Sequence, residues 1–61
     1  MPLTPRQAAR LVLDNGGTFL RHGSRHDLYK SKDGTIIPIP RHPKDLSSGV
    51  EKDIREKLGL R

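Results

Sequence analysis

Apolar positions along this chain change their spacing twice, and each change marks a new kind of element. Ala8, Leu11 and Val12 fall at i, i+3 and i+4 while Arg6, Arg10 and Asp14 take the other faces, the pattern of a helix with one dry stripe. Thr4 reads as its N-cap, Pro5 as its first helical residue and Gln7 as the capping-box partner, so a helix is predicted over about residues 4–15. Gly16-Gly17 closes it, one glycine serving as a left-handed cap and the other as the exit. The spacing then turns extended. Thr18-Phe19-Leu20-Arg21-His22 has strand character, Gly23-Ser24 reverses the chain into a second strand over Arg25 to Ser31, and the Asp33-Gly34 hairpin signature leads into Thr35 to Ile39. Pro38 and Pro40 donate no backbone hydrogen bond, so this third strand is expected to lie at a sheet edge or to pair only in its first half. Pro40-Arg41-His42-Pro43 is a rigid extended connector. Val50, Ile54 and Leu58 then repeat at four-residue spacing, predicting a helix near 48–58. Ser47 or Ser48 is its N-cap, Ser48 and Glu51 form a second capping box, Gly59 is the cap and Leu60 folds back.

The order helix, three antiparallel strands, helix specifies an α+β fold in which both helices cover one sheet face. An α-β-β-β-α sandwich of this size is the architecture of double-stranded-RNA-binding domains, which read A-form shape through phosphates and 2′-hydroxyls. The expected buried set is Leu11, Val12, Leu28, Ile37, Ile39, Ile54 and Leu58. With Leu28 facing the helices, period-2 geometry puts His26 on the same side and points Asp27 and Tyr29 away. Residues 1–61 are expected to form a single domain with a thin core, because a chain of 61 residues buries only about 60% of its unfolded surface. No internal repeat, linker or low-complexity segment interrupts it.

Charge narrows the partner. Lys and Arg number 12 against 7 acidic residues, for a formal +5 and a sequence pI near 10.3, so a polyanion is the first partner to consider. No apolar run is long enough to span a bilayer, and Met1-Pro2-Leu3-Thr4 does not begin a signal peptide, which predicts a soluble protein with no membrane partner. A basic membrane-surface helix needs bulky apolar residues opposite its charges, but the aromatics are limited to Phe19 and Tyr29, neither in a predicted helix. That scarcity also argues against stacking on single-stranded bases. Recognition of a nucleic-acid backbone and its shape is left. The absence of cysteine removes disulfides and thiolate metal ligands, and fits a reducing cytoplasm or an obligate partner.

The candidate chemistry centres on Gly23-Ser24-Arg25-His26-Asp27-Leu28-Tyr29. Gly23 with a positive φ and Ser24 bonded to the local backbone would deliver His26 onto a stiff strand, and histidine both takes and gives a proton near neutral pH. Ser24 pairs with His26 as a possible nucleophile and base, but no third triad member is apparent and a turn role accounts for it. His22, His26 and His42 have no Cys, Asp or Glu at ligand spacing, so neither a metal nor another cofactor is expected. Arg21, Arg25, Lys30 and Lys32 lie near His26 in sequence, and Arg41 and Lys44 join them if the third strand ends beside the start of the second. Phosphate would collect there. A histidine beside a phosphodiester can deprotonate a ribose 2′-hydroxyl for attack on phosphorus while the cations stabilise the developing charge. His42 ranks second, as an acid or a phosphate ligand. The competing reading is a solvated basic face with an idle histidine, that is, a non-catalytic double-stranded-RNA-binding module.

Over nearly its whole length the chain resembles the HicA toxins of bacterial and archaeal toxin-antitoxin pairs. The likeness is carried by the glycine-ended first helix, Gly23-Ser24-Arg25-His26, the Asp33-Gly34 hairpin, Pro40-Arg41-His42 and the final helix closing on Leu58-Gly59-Leu60. The resemblance implies a small mRNA interferase with a double-stranded-RNA-binding-like fold, in which the residue at the position of His26 is catalytic. It also implies a HicB antitoxin that masks the active surface and joins the toxin in repressing their operon, so that operator DNA is met only through the antitoxin. The family often has a second histidine directly before the catalytic one. Arg25 stands there in this chain, which weakens any mechanism that uses adjacent histidines.

Overall fold

The computed structural model of the protein describes residues 2–60. Helix α1 (Pro5–Asp14) is followed by strands β1 (Thr18–His22), β2 (His26–Lys30) and β3 (Ile36–Pro40) and by helix α2 (Ser48–Lys57), the predicted α-β-β-β-α order. The capping box of α1 forms as expected: Thr4 Oγ1 accepts the Gln7 amide at 3.1 Å and Gln7 Oε1 accepts the Thr4 amide at 2.9 Å. Gly16 takes a φ of +83° beyond the helix. Its neighbour Gly17 is needed for space, since a Cβ there would lie 2.5 Å from Val12 Cγ1 and 2.8 Å from the Lys30 carbonyl oxygen.

At α2 the cap is Ser47, whose hydroxyl accepts the Val50 amide at 3.3 Å. The box expected between Ser48 and Glu51 does not form. Glu51 instead accepts the Leu3 amide at 2.9 Å and pairs with Arg55 Nε at 3.3 Å. The N-terminal segment runs beside α2, as the Leu46 amide bound to the Leu3 carbonyl at 2.8 Å records, and so offers Glu51 a donor from outside its own helix. That amide, more than Arg55, lowers the carboxyl's pKa.

The strands form one antiparallel sheet in the order β1-β2-β3. Register decides which side of β2 is dry. Tyr29 lies opposite Ile37 and Asp27 opposite Ile39, and both isoleucines are buried, so Asp27 and Tyr29 share the helix-covered face. His26 and Leu28 pair with Pro40 and Pro38 on the other face. The expected parity is therefore reversed: His26 and Leu28 do share a side, but it is the one turned away from the helices. Register against Ile37 and Ile39 places Tyr29 in the core, its ring edge-on to Phe19 at 5.3 Å, and leaves Leu28 half-buried on the open face. β1 carries a bulge, with Phe19 opposite Tyr29 and Arg21 opposite Leu28, leaving Leu20 as the extra residue.

The core consists of Ala8, Val12, Tyr29, Ile37, Ile39, Leu46 and Ile54, with Leu3, Ala9, Val50 and Leu58 packed partly against it. Helix α1 lies across all three strands, and α2 joins the cluster through Ile54. Leu11 and Leu58 are half-buried rather than central, because Ala8 and Val12 take the middle of the α1 stripe and Leu58 has become the C-cap of α2. Leu46 enters the core from the irregular connector, where no periodicity announces it.

Bonds of Ser31 to Thr35 and of Arg41 to Arg25 fix the phase of the β2–β3 ladder. Residues 35, 37, 39 and 41 point their amides inward, so positions 36, 38 and 40 point theirs to the free edge. Pro38 and Pro40 thus stand where no partner needs a donor, as the edge assignment requires. No helix among the described residues is long and apolar enough to cross a membrane.

Candidate active site

The β1–β2 reversal brings the candidate chemistry together. His22 and Asp27 face each other as the last regular pair of the ladder, and beyond them the Gly23 amide donates to the His26 carbonyl at 2.7 Å. Gly23 does not have a positive φ, in contrast to the turn chemistry expected of it. It is required for a different reason: a Cβ there would sit 2.7 Å from the His26 carbonyl oxygen. Ser24 acts through its main-chain carbonyl. Among the described residues its hydroxyl makes no hydrogen bond, so it lacks the adjacent base that would activate a nucleophile.

His26 opens β2 with its side chain exposed, beside Pro40 on the helix-free face. Arg21, opposite Leu28, projects on that same face, and Arg25 adjoins His26 in the turn. Arg41 follows Pro40 directly, its amide donating to the Arg25 carbonyl at 3.3 Å, so the end of the third strand does return to the start of the second. His42 and Lys44 lie exposed on the connector beyond it. The remaining two cations are remote. Lys30 shares the face of His26 but stands about 13 Å along the strand, and Lys32 lies past the end of β2, with its Cβ against Gly16.

On the other side of β2 a polar cluster has formed at the rim of the core. Asp27 Oδ1 lies 2.6 Å from His22 Nδ1 and accepts from Arg41 Nη1 at 3.1 Å. A carboxylate only accepts, so Nδ1 carries the proton and Nε2 is left to solvent. The His22 hydrogen bond is the largest cause holding the Asp27 carboxyl below its ordinary pKa, ahead of Arg41 and opposed by burial. Arg41 Nη2 also donates to the Ser24 carbonyl at 2.8 Å. The His22 ring leans on Phe19 at 4.9 Å.

Sequence reasoning did not find this cluster. A signal was present, because a hairpin reversing at Gly23-Ser24 makes His22 and Asp27 cross-strand neighbours, where an imidazole N–H can meet a carboxylate. The two histidines project from opposite faces of the sheet, so a phosphate on the His26 side is not shared with His22. Among the described residues no three His, Asp or Glu side chains gather as a metal site.

No curated protein matches the chain. A family model, that of the HicA toxin of bacterial toxin-antitoxin systems, matches residues 5–60, from the first residue of α1 to the segment beyond α2. A match that takes in both helices, the whole sheet and the His26 hairpin places the protein in the HicA toxin family.

Proposed function

We propose that this toxin is a metal-independent endoribonuclease, an mRNA interferase, in which His26 moves the protons. The 2′-hydroxyl of the RNA gives its proton to the imidazole and attacks the adjacent phosphorus. The bond to the 5′-oxygen then breaks, leaving a 2′,3′-cyclic phosphate and a 5′-hydroxyl, with Arg21 and Arg25 offsetting charge on the non-bridging oxygens. His42 is the second candidate for proton delivery, to the departing oxygen. The observation that carries the reading is the exposed imidazole of His26, the first residue of a paired strand, in a chain of the HicA family. Membership of a toxin-antitoxin family implies an antitoxin. A HicB-like protein with an acidic patch over His26 and its neighbouring arginines would silence the site by covering it, and would carry the pair to operator DNA.

The test is incubation of purified protein with a long labelled RNA in EDTA. Wild type should give fragments with cyclic phosphate ends. Folded His26→Ala should give none, at a loss of about 10²- to 10⁴-fold, while still shifting the RNA in a gel. A shift without fragments from wild type would identify a non-catalytic RNA-binding module, and loss of cleavage only in His42→Ala would exchange the two roles.

A further inference from the structure

The geometry points to Arg41 and Asp27 as positioning residues that hold the His26 hairpin, an inference resting on the proposed role of His26. Arg41 touches the hairpin on both sides of that residue. Its Nη2 reaches the carbonyl of Ser24 at 2.8 Å, its amide reaches the carbonyl of Arg25 at 3.3 Å, and its Nη1 reaches the carboxylate of Asp27 at 3.1 Å. Asp27 is gripped in turn from β1, where His22 Nδ1 approaches the same oxygen to 2.6 Å. The brace therefore ties the ends of β1 and β3 to the residues before and after His26.

Nothing apolar does this job. Ser24, Arg25 and His26 are all exposed, and the core begins only at Tyr29. A turn without buried side chains opens easily unless polar contacts close it. The fork of a guanidinium can satisfy a carboxylate and a carbonyl at once, which the compact ammonium of lysine does not reproduce. Charge separates Arg41 from the neighbouring cations as well. Of Arg21, Arg25, Lys30, Lys32, Arg41 and Lys44, only Arg41 makes a salt bridge among the described residues, and its side chain is 31% exposed. Its charge is offset by Asp27, whereas Arg21, Arg25 and Lys44 are free to meet phosphate.

The experiment compares wild type with Arg41→Lys, which keeps the charge, and Asp27→Asn, which keeps the shape, each checked for folding by circular dichroism. Three quantities are read: single-turnover RNA cleavage, RNA affinity over a range of salt, and amide hydrogen exchange at Gly23, whose donor closes the turn. Both variants should cleave about 10- to 100-fold more slowly, in line with the cost of misplacing a reacting group by about 1 Å. Arg41→Lys should retain the affinity and salt slope of wild type, and exchange at Gly23 should accelerate in both. Wild-type cleavage by Arg41→Lys, or unchanged exchange at Gly23, would overturn the brace. So would a salt slope reduced by about 0.7 to 0.9 in Arg41→Gln with exchange at Gly23 unaltered, the mark of a phosphate contact. A His26→Ala control separates the two ideas: if it cleaves like wild type the catalytic reading fails, whereas exchange at Gly23 reports on the brace irrespective of activity.

Discussion

Gly23→Ala is the sharpest probe of the hairpin, because the reason for glycine there is a contact rather than a dihedral angle. An added Cβ would lie 2.7 Å from the His26 carbonyl oxygen, and ordinary contact begins at 3.4 Å, so the strands must part by about 0.7 Å. The Gly23 amide donates to that same oxygen at 2.7 Å, and the same parting stretches the bond to the limit of hydrogen bonding. Losing it costs about 0.5–1.5 kcal/mol, and the steric misfit about 1–3 kcal/mol more. A 61-residue domain has roughly 3–9 kcal/mol of stability in total, so Gly23→Ala should lower the urea midpoint markedly with little change in m. Gly23→Asn supplies the control. Asparagine tolerates a positive φ but carries the same Cβ, so it should be no better than alanine. A Gly23→Asn protein as stable as wild type would refute the contact argument and restore the turn chemistry read from the sequence.

Two further outcomes test the core and the rim. Ile54→Ala, at a side chain 1% exposed, should cost about 2–5 kcal/mol in urea unfolding, and Leu28→Ala on the open face clearly less; equal losses would mean that the faces of β2 are misassigned. Asp27 has a depressed folded-state pKa, so its contribution is present above the unfolded value of about 3.9 and disappears as pH falls through the folded value beneath it. Asp27→Asn should accordingly flatten the acid limb of stability against pH, and an unchanged limb in that variant would mean that the His22 and Arg41 contacts add nothing to the fold.

Much of this architecture is written in local chemistry. Thr4, Pro5 and Gln7 specify the start of α1 without help from the rest of the chain, and the prolines of β3 announce an edge. Parity in β2 is a different kind of fact. Leu28 and Tyr29 are both plausible core residues, and the choice between them depends on how two hairpins register against Ile37 and Ile39, which no window on β2 contains. Ser47 and Ser48 are similarly equivalent as caps until the N-terminal segment draws Glu51 away. At the candidate site, His26 was legible as an imidazole behind a turn. The cluster of His22, Asp27 and Arg41 was not, since its members come from three strand ends and meet only once the sheet is closed.

The outer margin of β3 has a consequence for the protein in a crowded solution. Of the three amides that position 36, 38 and 40 would send outward, only that of Ile36 exists. The opposite margin is bent by the bulge at Leu20. A naked sheet margin is the usual template on which copies of a protein add strand to strand and grow into fibres. Here one side keeps a single outward donor and the other is bent, so neither margin offers a straight, regularly spaced ladder to an added strand.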